Sequence, residues 1–136
     1  MIRRRRLGLL TTLCCTLLAC SSQDVESQKS AARVARAIEV LRGAANASKA
    51  GALADLLKLG CTGVDVCATR DACTTAYQLH VDAVALTQAA KLRMRDGNAP
   101  EAAQLLGSAE EKLVEASRRV AGCAEREAAL RRRYKL

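Results

Sequence analysis

The amino-acid sequence predicts an all-α protein, a small antiparallel bundle of three to four helices with one long disulfide-braced helical hairpin. Three observations carry that expectation. The apolar content is alanine and leucine, with no Trp, no Phe and only two Tyr in 136 residues. Alanine and straight-chain side chains are the best helix formers. A single proline, Pro100, is present to interrupt a helix. Apolar residues also recur at spacings of three and four, the pattern of amphipathic helices. Such small side chains bury little area each, so a domain of this size needs a further source of stability.

The elements follow in order. Ala31, Val34, Ala35, Ile38, Leu41 and Ala45 form a stripe that predicts a first helix over 24–42. Leu53, Leu56 and Leu57 predict a second over 46–59, continuous with the first unless Gly43 breaks it. Gly60 stands where helices commonly end. Residues 61–70 (CTGVDVCATR) read as a compact loop. A third helix is expected over 71–96, with Cys73, Ala76, Tyr77, His80, Ala83, Val84, Leu86 and Ala90 on its apolar positions. Gly97 closes it. Asn98, followed by Glu101 three residues later, makes a capping-box pattern, and Pro100 in the first turn loses little by lacking an N–H. The fourth helix is expected over 99–132, with Ala102, Leu105, Ala109, Leu113, Ala116, Val120, Cys123 and Leu130 on its stripe.

A turn at Gly97–Asn98 fixes which residues of the hairpin meet. In an antiparallel pair centred on residue 98, facing positions sum to about 196, and Cys73 and Cys123 satisfy that sum. Both lie on apolar stripes. A Cys73–Cys123 disulfide is therefore expected, leaving Cys61–Cys67 as a local bridge. The alternative pairs Cys61 with Cys73 and Cys67 with Cys123, among three connectivities for four cysteines.

The other three cysteines belong to the N-terminus. Arg3, Arg4, Arg5 and Arg6 precede an uncharged run over 7–19, which ends at Leu17-Leu18-Ala19-Cys20. A basic start, a short apolar core and small residues at the cut describe a secretory signal. Thirteen residues span roughly 20 Å as a helix, short of the ~30 Å hydrocarbon core. The last four residues resemble the lipobox of bacterial lipoproteins. That resemblance covers residues 1–20 only. It implies cleavage before Cys20, lipidation of its thiol, further acylation of the new N-terminus and a cell-envelope address. Several acyl chains give stable anchoring where one is marginal. Ser21, rather than Asp, implies outer-membrane sorting facing the periplasm in the enterobacterial pattern. The expected organisation is a signal over 1–19, a lipidated tether over 20–30 and a helical domain over 31–136.

Cleavage of 19 residues leaves 117 of the 136, which suits one small domain. It removes four of 22 basic residues and none of 14 acidic ones, so the remainder carries 18 against 14. Arg131, Arg132, Arg133 and Lys135 account for that excess. They form the candidate contact surface for anionic head groups or an acidic partner. Cations at a helix C-terminus also complement its dipole. The exported address and the lack of interleaved aromatics disfavour nucleic acid.

Chemistry is weakly signalled. Five, five and 49 residues separate Cys61, Cys67, Cys73 and Cys123, and His80 is the only histidine. Zinc ligand pairs are usually separated by two to four residues, so disulfides rather than a metal are expected, and no cofactor. By the hairpin sum His80 faces Ala116, with Glu115 and Ser117 beside it. Those two neighbours point about 200° apart, so a Ser117–His80–Glu115 arrangement is disfavoured. The segment over 83–116 resembles a tetratricopeptide hairpin once, over 34 residues, whereas repeat arrays need about three units. The sequence thus predicts a membrane-anchored, non-enzymatic structural or partner-binding protein, held by membrane lipid through Cys20 and meeting an envelope protein partner. The alternative is a ligand- or peptide-binding helical module. An enzyme is the least favoured reading.

Overall fold

A computed structural model describes the backbone of residues 14–136 and the side chains of residues 23–136. Arg3 to Arg6, most of the apolar run and the side chain of Cys20 lie outside the described residues. Four helices follow in order, α1 (Cys14–Gly43), α2 (Asn46–Lys58), α3 (Val64–Arg95) and α4 (Ala99–Tyr134), with no strand among the described residues. The all-α bundle with a disulfide-braced hairpin is the observed architecture.

The hairpin of α3 and α4 is the spine. Its buried positions recur every seven residues: Thr69, Ala76, Ala83 and Ala90 on α3, and Ala102, Ala109, Ala116, Cys123 and Leu130 on α4. A seven-residue period is the signature of coiled-coil packing, and alanine in these layers lets the helices approach closely. Both disulfides form as the sequence reading paired them. Cys73–Cys123 closes a separation of 50 residues with the Cα atoms 4.8 Å apart, and Cys61–Cys67 closes one of six. At the tip, Gly97 adopts φ 76°. Its N–H bonds to the Met94 carbonyl and that of Asn98 bonds to the Arg93 carbonyl, a Schellman ending. The Asn98 side chain then caps α4 by accepting from the Glu101 N–H at 3.2 Å.

The other two helices cover only the lower half of this spine. Gln28 of α1 bonds to the Tyr134 carbonyl, while Glu39 meets Arg131 and Arg42 meets Glu127, so α1 climbs from the base antiparallel to α4. α2 descends: Asn46 lies beside His80, and the Leu59 carbonyl accepts from Arg70. The topology is up-down-up-down. Val34, Ile38, Leu41, Leu53, Leu56 and Val66 fill the seam between the helix pairs. Each contributes roughly 1.5–3 kcal/mol relative to exposure. Lys49, itself buried, donates to the last carbonyls of α1, at 3.0 Å to Leu41 and 3.4 Å to Arg42, and so completes the α1–α2 corner. Its ammonium also sits 5.6 Å from the Tyr77 ring centroid.

Three expectations are corrected. Helix three begins at Val64, not at residue 71. Gly63, at φ 98°, supplies the sharp entry, and burial of Val66 and Thr69 overrides the poor helix propensity of the Val- and Thr-rich segment. The Cys61–Cys67 bridge consequently ties the preceding loop to the first turn of a helix. The first helix begins before residue 24, so that α1 runs through residues 20–30 and buries Ser27 and Ser30. Ser30 Oγ accepts from the Thr62 N–H at 2.8 Å, which fastens α1 to the start of α3. Finally, Leu57 and Leu113, placed on apolar stripes, are exposed.

Candidate functional site

The two features that could carry function lie at opposite ends of the spine, a charged base and a bare upper hairpin. At the base, α1, the start of α3 and the end of α4 converge. Tyr134 donates its hydroxyl to Asp65 Oδ1 at 3.1 Å, and Arg133 pairs with Asp65 Oδ2 at 3.2 Å. Burial, then the bond to Asp65 and its charge, push the Tyr134 hydroxyl above the ordinary phenol range. Arg131 bridges Glu127 at 3.0 Å and Glu39 at 3.3 Å. Glu127 is nearly fully buried and also receives Arg42 of α1. Desolvation opposes the Arg42 charge, but the bond to Glu127 and the nearby Tyr77 hydroxyl outweigh it and hold the guanidinium above its ordinary value.

This geometry divides the predicted basic tail. Arg131 and Arg133 are engaged in ion pairs that fasten α4 to α1 and α3. Arg132 and Lys135 are exposed and form no ion pair with the described residues. An open groove of about 310 Å³ separates Lys135, Arg133 and Tyr134 from Asp24, Val25 and Gln28 of α1. Cys20 lies on the same continuous helix, eight residues before Gln28, hence roughly 12 Å along the axis. The lower end of α1 and the end of α4, remote in sequence, therefore come together at one end of the bundle.

His80 is not part of a catalytic arrangement with Glu115 and Ser117. Its Nε2 lies 3.1 Å from Asn46 Oδ1 on α2. Glu115 is taken up by Arg119 and Arg118, whose bond and charge hold it below the ordinary carboxylate range. Ser117 donates to the Leu113 carbonyl of its own helix. Desolvation, and secondly the Lys49 charge, lower the His80 pKa below 6.5. Tyr77 is buried, with the Lys49 ammonium over its ring. Among the described residues, no group of three His, Cys, Asp or Glu side chains could hold a metal ion. No described helix is long and apolar enough to cross a membrane.

Among the described residues, neither α1 nor α2 covers the hairpin above His80. From there to Arg95 it extends about 22 Å, crossed by the Asp82–Lys112 pair at 3.5 Å and, near the tip, the Arg93–Glu101 pair at 3.0 Å. Leu92, Met94, Leu106, Leu113 and Val114 are exposed there. Leu53 and Leu56 of α2, by contrast, are buried. Helices of 32 and 36 residues make this hairpin too long for the tetratricopeptide unit it resembles in sequence.

Sequence reasoning missed the buried Glu127. Its signal was present: the α4 stripe runs Val120, Cys123, then Leu130, and the turn between them holds a charge in core register. It also missed Lys49, whose role depends on a corner that no periodicity reveals. No protein-family model, curated protein or solved structure matches the chain.

Proposed function

We propose that this chain is a lipid-anchored, non-enzymatic protein of the bacterial cell envelope, seated on the periplasmic face of the outer membrane through Cys20, whose helical arm engages a protein partner. The observation that carries this reading is the course of α1. It continues past the base of the bundle, with residues 23–26 exposed, and Cys20 precedes them on the same helix. A lipid there would hold the base toward the bilayer and direct the bare hairpin away from it. Arg132 and Lys135 stand at the same end, where each cation near an anionic surface contributes about 1 kcal/mol. The separation of His80, Glu115 and Ser117 gives no support to a hydrolytic alternative.

The test is the intact mass of protein extracted from native membranes, together with fractionation of a Cys20→Ala variant. The expected result is loss of residues 1–19 with added acyl mass, and release of the variant from the membrane fraction. A membrane-extracted chain retaining Met1, or one lacking acyl mass, would overturn the reading.

A further inference from the structure

We infer that the upper half of the α3–α4 hairpin is a docking groove for an amphipathic helix of an envelope protein, laid on the same face that α1 and α2 occupy lower down. The inference takes its cellular setting from the proposed function, but its geometry stands independently. On α4, Leu106, Leu113, Val120, Glu127 and Tyr134 are each seven residues apart and so share one face of the helix. The lower three are covered: Val120 and Tyr134 pack against the core, and Glu127 is buried beneath Arg42 of α1. The upper two are not, with Leu106 48% and Leu113 41% exposed.

α3 tells the same story. Tyr77 is buried under Lys49 of α2, and His80 lies against Asn46 of α2. Seven residues beyond them come Val84 and Thr87, half-buried, and fourteen beyond come Lys91 and Met94, both exposed. A single seam thus runs the length of the spine, with Leu106, Leu113 and Val120 along its α4 side. The chain covers its lower half with its own helices and leaves about 22 Å uncovered, room for a helix of about 15 residues.

The intramolecular half of the seam states what fits the other half. It is filled by α1, whose Ala31, Val34, Ala35, Ile38 and Leu41 recur at spacings of three and four. The occupant is therefore an amphipathic helix with small and branched aliphatic residues at that spacing, the helix-in-groove mode of recognition. Lys91 continues the register of Tyr77 and Val84, so the partner helix carries an acidic residue along that flank.

Site-specific photo-crosslinking in native envelopes tests this. A benzophenone side chain is placed at Leu106, at Leu113, or at Glu111. Glu111 lies two residues from Leu113 and so about 200° from the seam. The expected result is adducts from 106 and 113, but not 111, whose crosslinked peptide has aliphatic residues at spacings of three and four. A Leu113→Asp substitution should then cut the adduct formed from a probe at Met94 at least ten-fold. The substituted site is exposed, so an unchanged melting temperature for this variant confirms that the fold is retained. No adduct, equal adducts from 111, an adduct to a second copy of this chain, or a non-helical peptide would each overturn the inference. Acyl mass on Cys20 is read in the same sample. Its absence would overturn the anchored reading, while seam-specific adducts would still establish the groove.

Discussion

Replacing Cys73 and Cys123 together by alanine should lower the melting temperature by about 16 °C. The bridge closes a separation of 50 residues, and the loop-closure entropy it removes from the unfolded chain is worth about 4 kcal/mol. A domain of this length has an unfolding entropy of about 0.25 kcal/mol per degree, which converts that loss into the stated shift. Both sulfurs are buried, so the small void left behind adds to the loss rather than offsetting it. The Cys61–Cys67 bridge spans only six residues, and the same relation gives about 2 kcal/mol, or about 8 °C. The assay is thermal unfolding by circular dichroism on the Cys20→Ala protein, comparing the parent with each double-alanine variant. A long-bridge variant that melts no lower than the short-bridge variant would refute the reasoning, because loop length would then not be setting the contribution.

Glu127→Gln should cost about 1–3 kcal/mol by chemical denaturation, since it removes the buried charge to which part-exposed Arg42 and Arg131 both donate. Gly63→Ala should cost roughly 1–3 kcal/mol from the positive-φ backbone (φ 98°, ψ 134°) alone, because the added Cβ meets its neighbours at an ordinary 3.4 Å. Stability should fall on acidification below pH 6.5, because His80 binds its proton more weakly folded than unfolded. The contribution is intact above the unfolded pKa and lost as pH falls toward the folded one, and His80→Gln should flatten this part of the pH–stability curve. Arg132→Ala with Lys135→Ala should weaken binding of the Cys20→Ala protein to vesicles rich in phosphatidylglycerol by about ten-fold or more, with no change on phosphatidylcholine. Sedimentation of sucrose-loaded vesicles measures this.

Much of the fold was legible because the signals that specify it are local. Alanine-rich stripes, the Gly97–Asn98 turn and its capping residues each prescribe their own geometry, and the turn sets the register that pairs Cys73 with Cys123. The start of α3 was not legible, because Gly60, Gly63, Val64 and Val66 locally oppose a helix. It forms because Val66 and Thr69 are buried within the bundle, against helices distant in sequence. The basic tail was legible as a charge excess but not as a divided group. Only the folded chain brings Glu39, Asp65 and Glu127 to two of its arginines. The apolar seam above His80 was hidden for a related reason. Leu106 and Leu113 carry the same pattern as Val120, and nothing in one sequence distinguishes a face covered within the chain from one left open.

The placement of the long disulfide bears on how the arm behaves. Cys73–Cys123 lies within the half of the spine sheathed by α1 and α2, so all the covalent reinforcement is spent where four helices already hold together. Above it the arm depends on thin alanine layers, two crossing ion pairs and one turn. Such a construction is graded like a fishing rod, stiff at the butt and compliant toward the tip. Amide hydrogen exchange should follow that gradient, with the outer turns opening locally while the base stays closed. A helix docking along the seam would stiffen the outer turns as it binds, so occupancy would be written in the exchange rate of the tip. In the proposed lipid-anchored state, with Cys20 about 12 Å along α1 from Gln28 and α3 about 48 Å long, the arm would meet such a helix some tens of ångströms from the lipid surface.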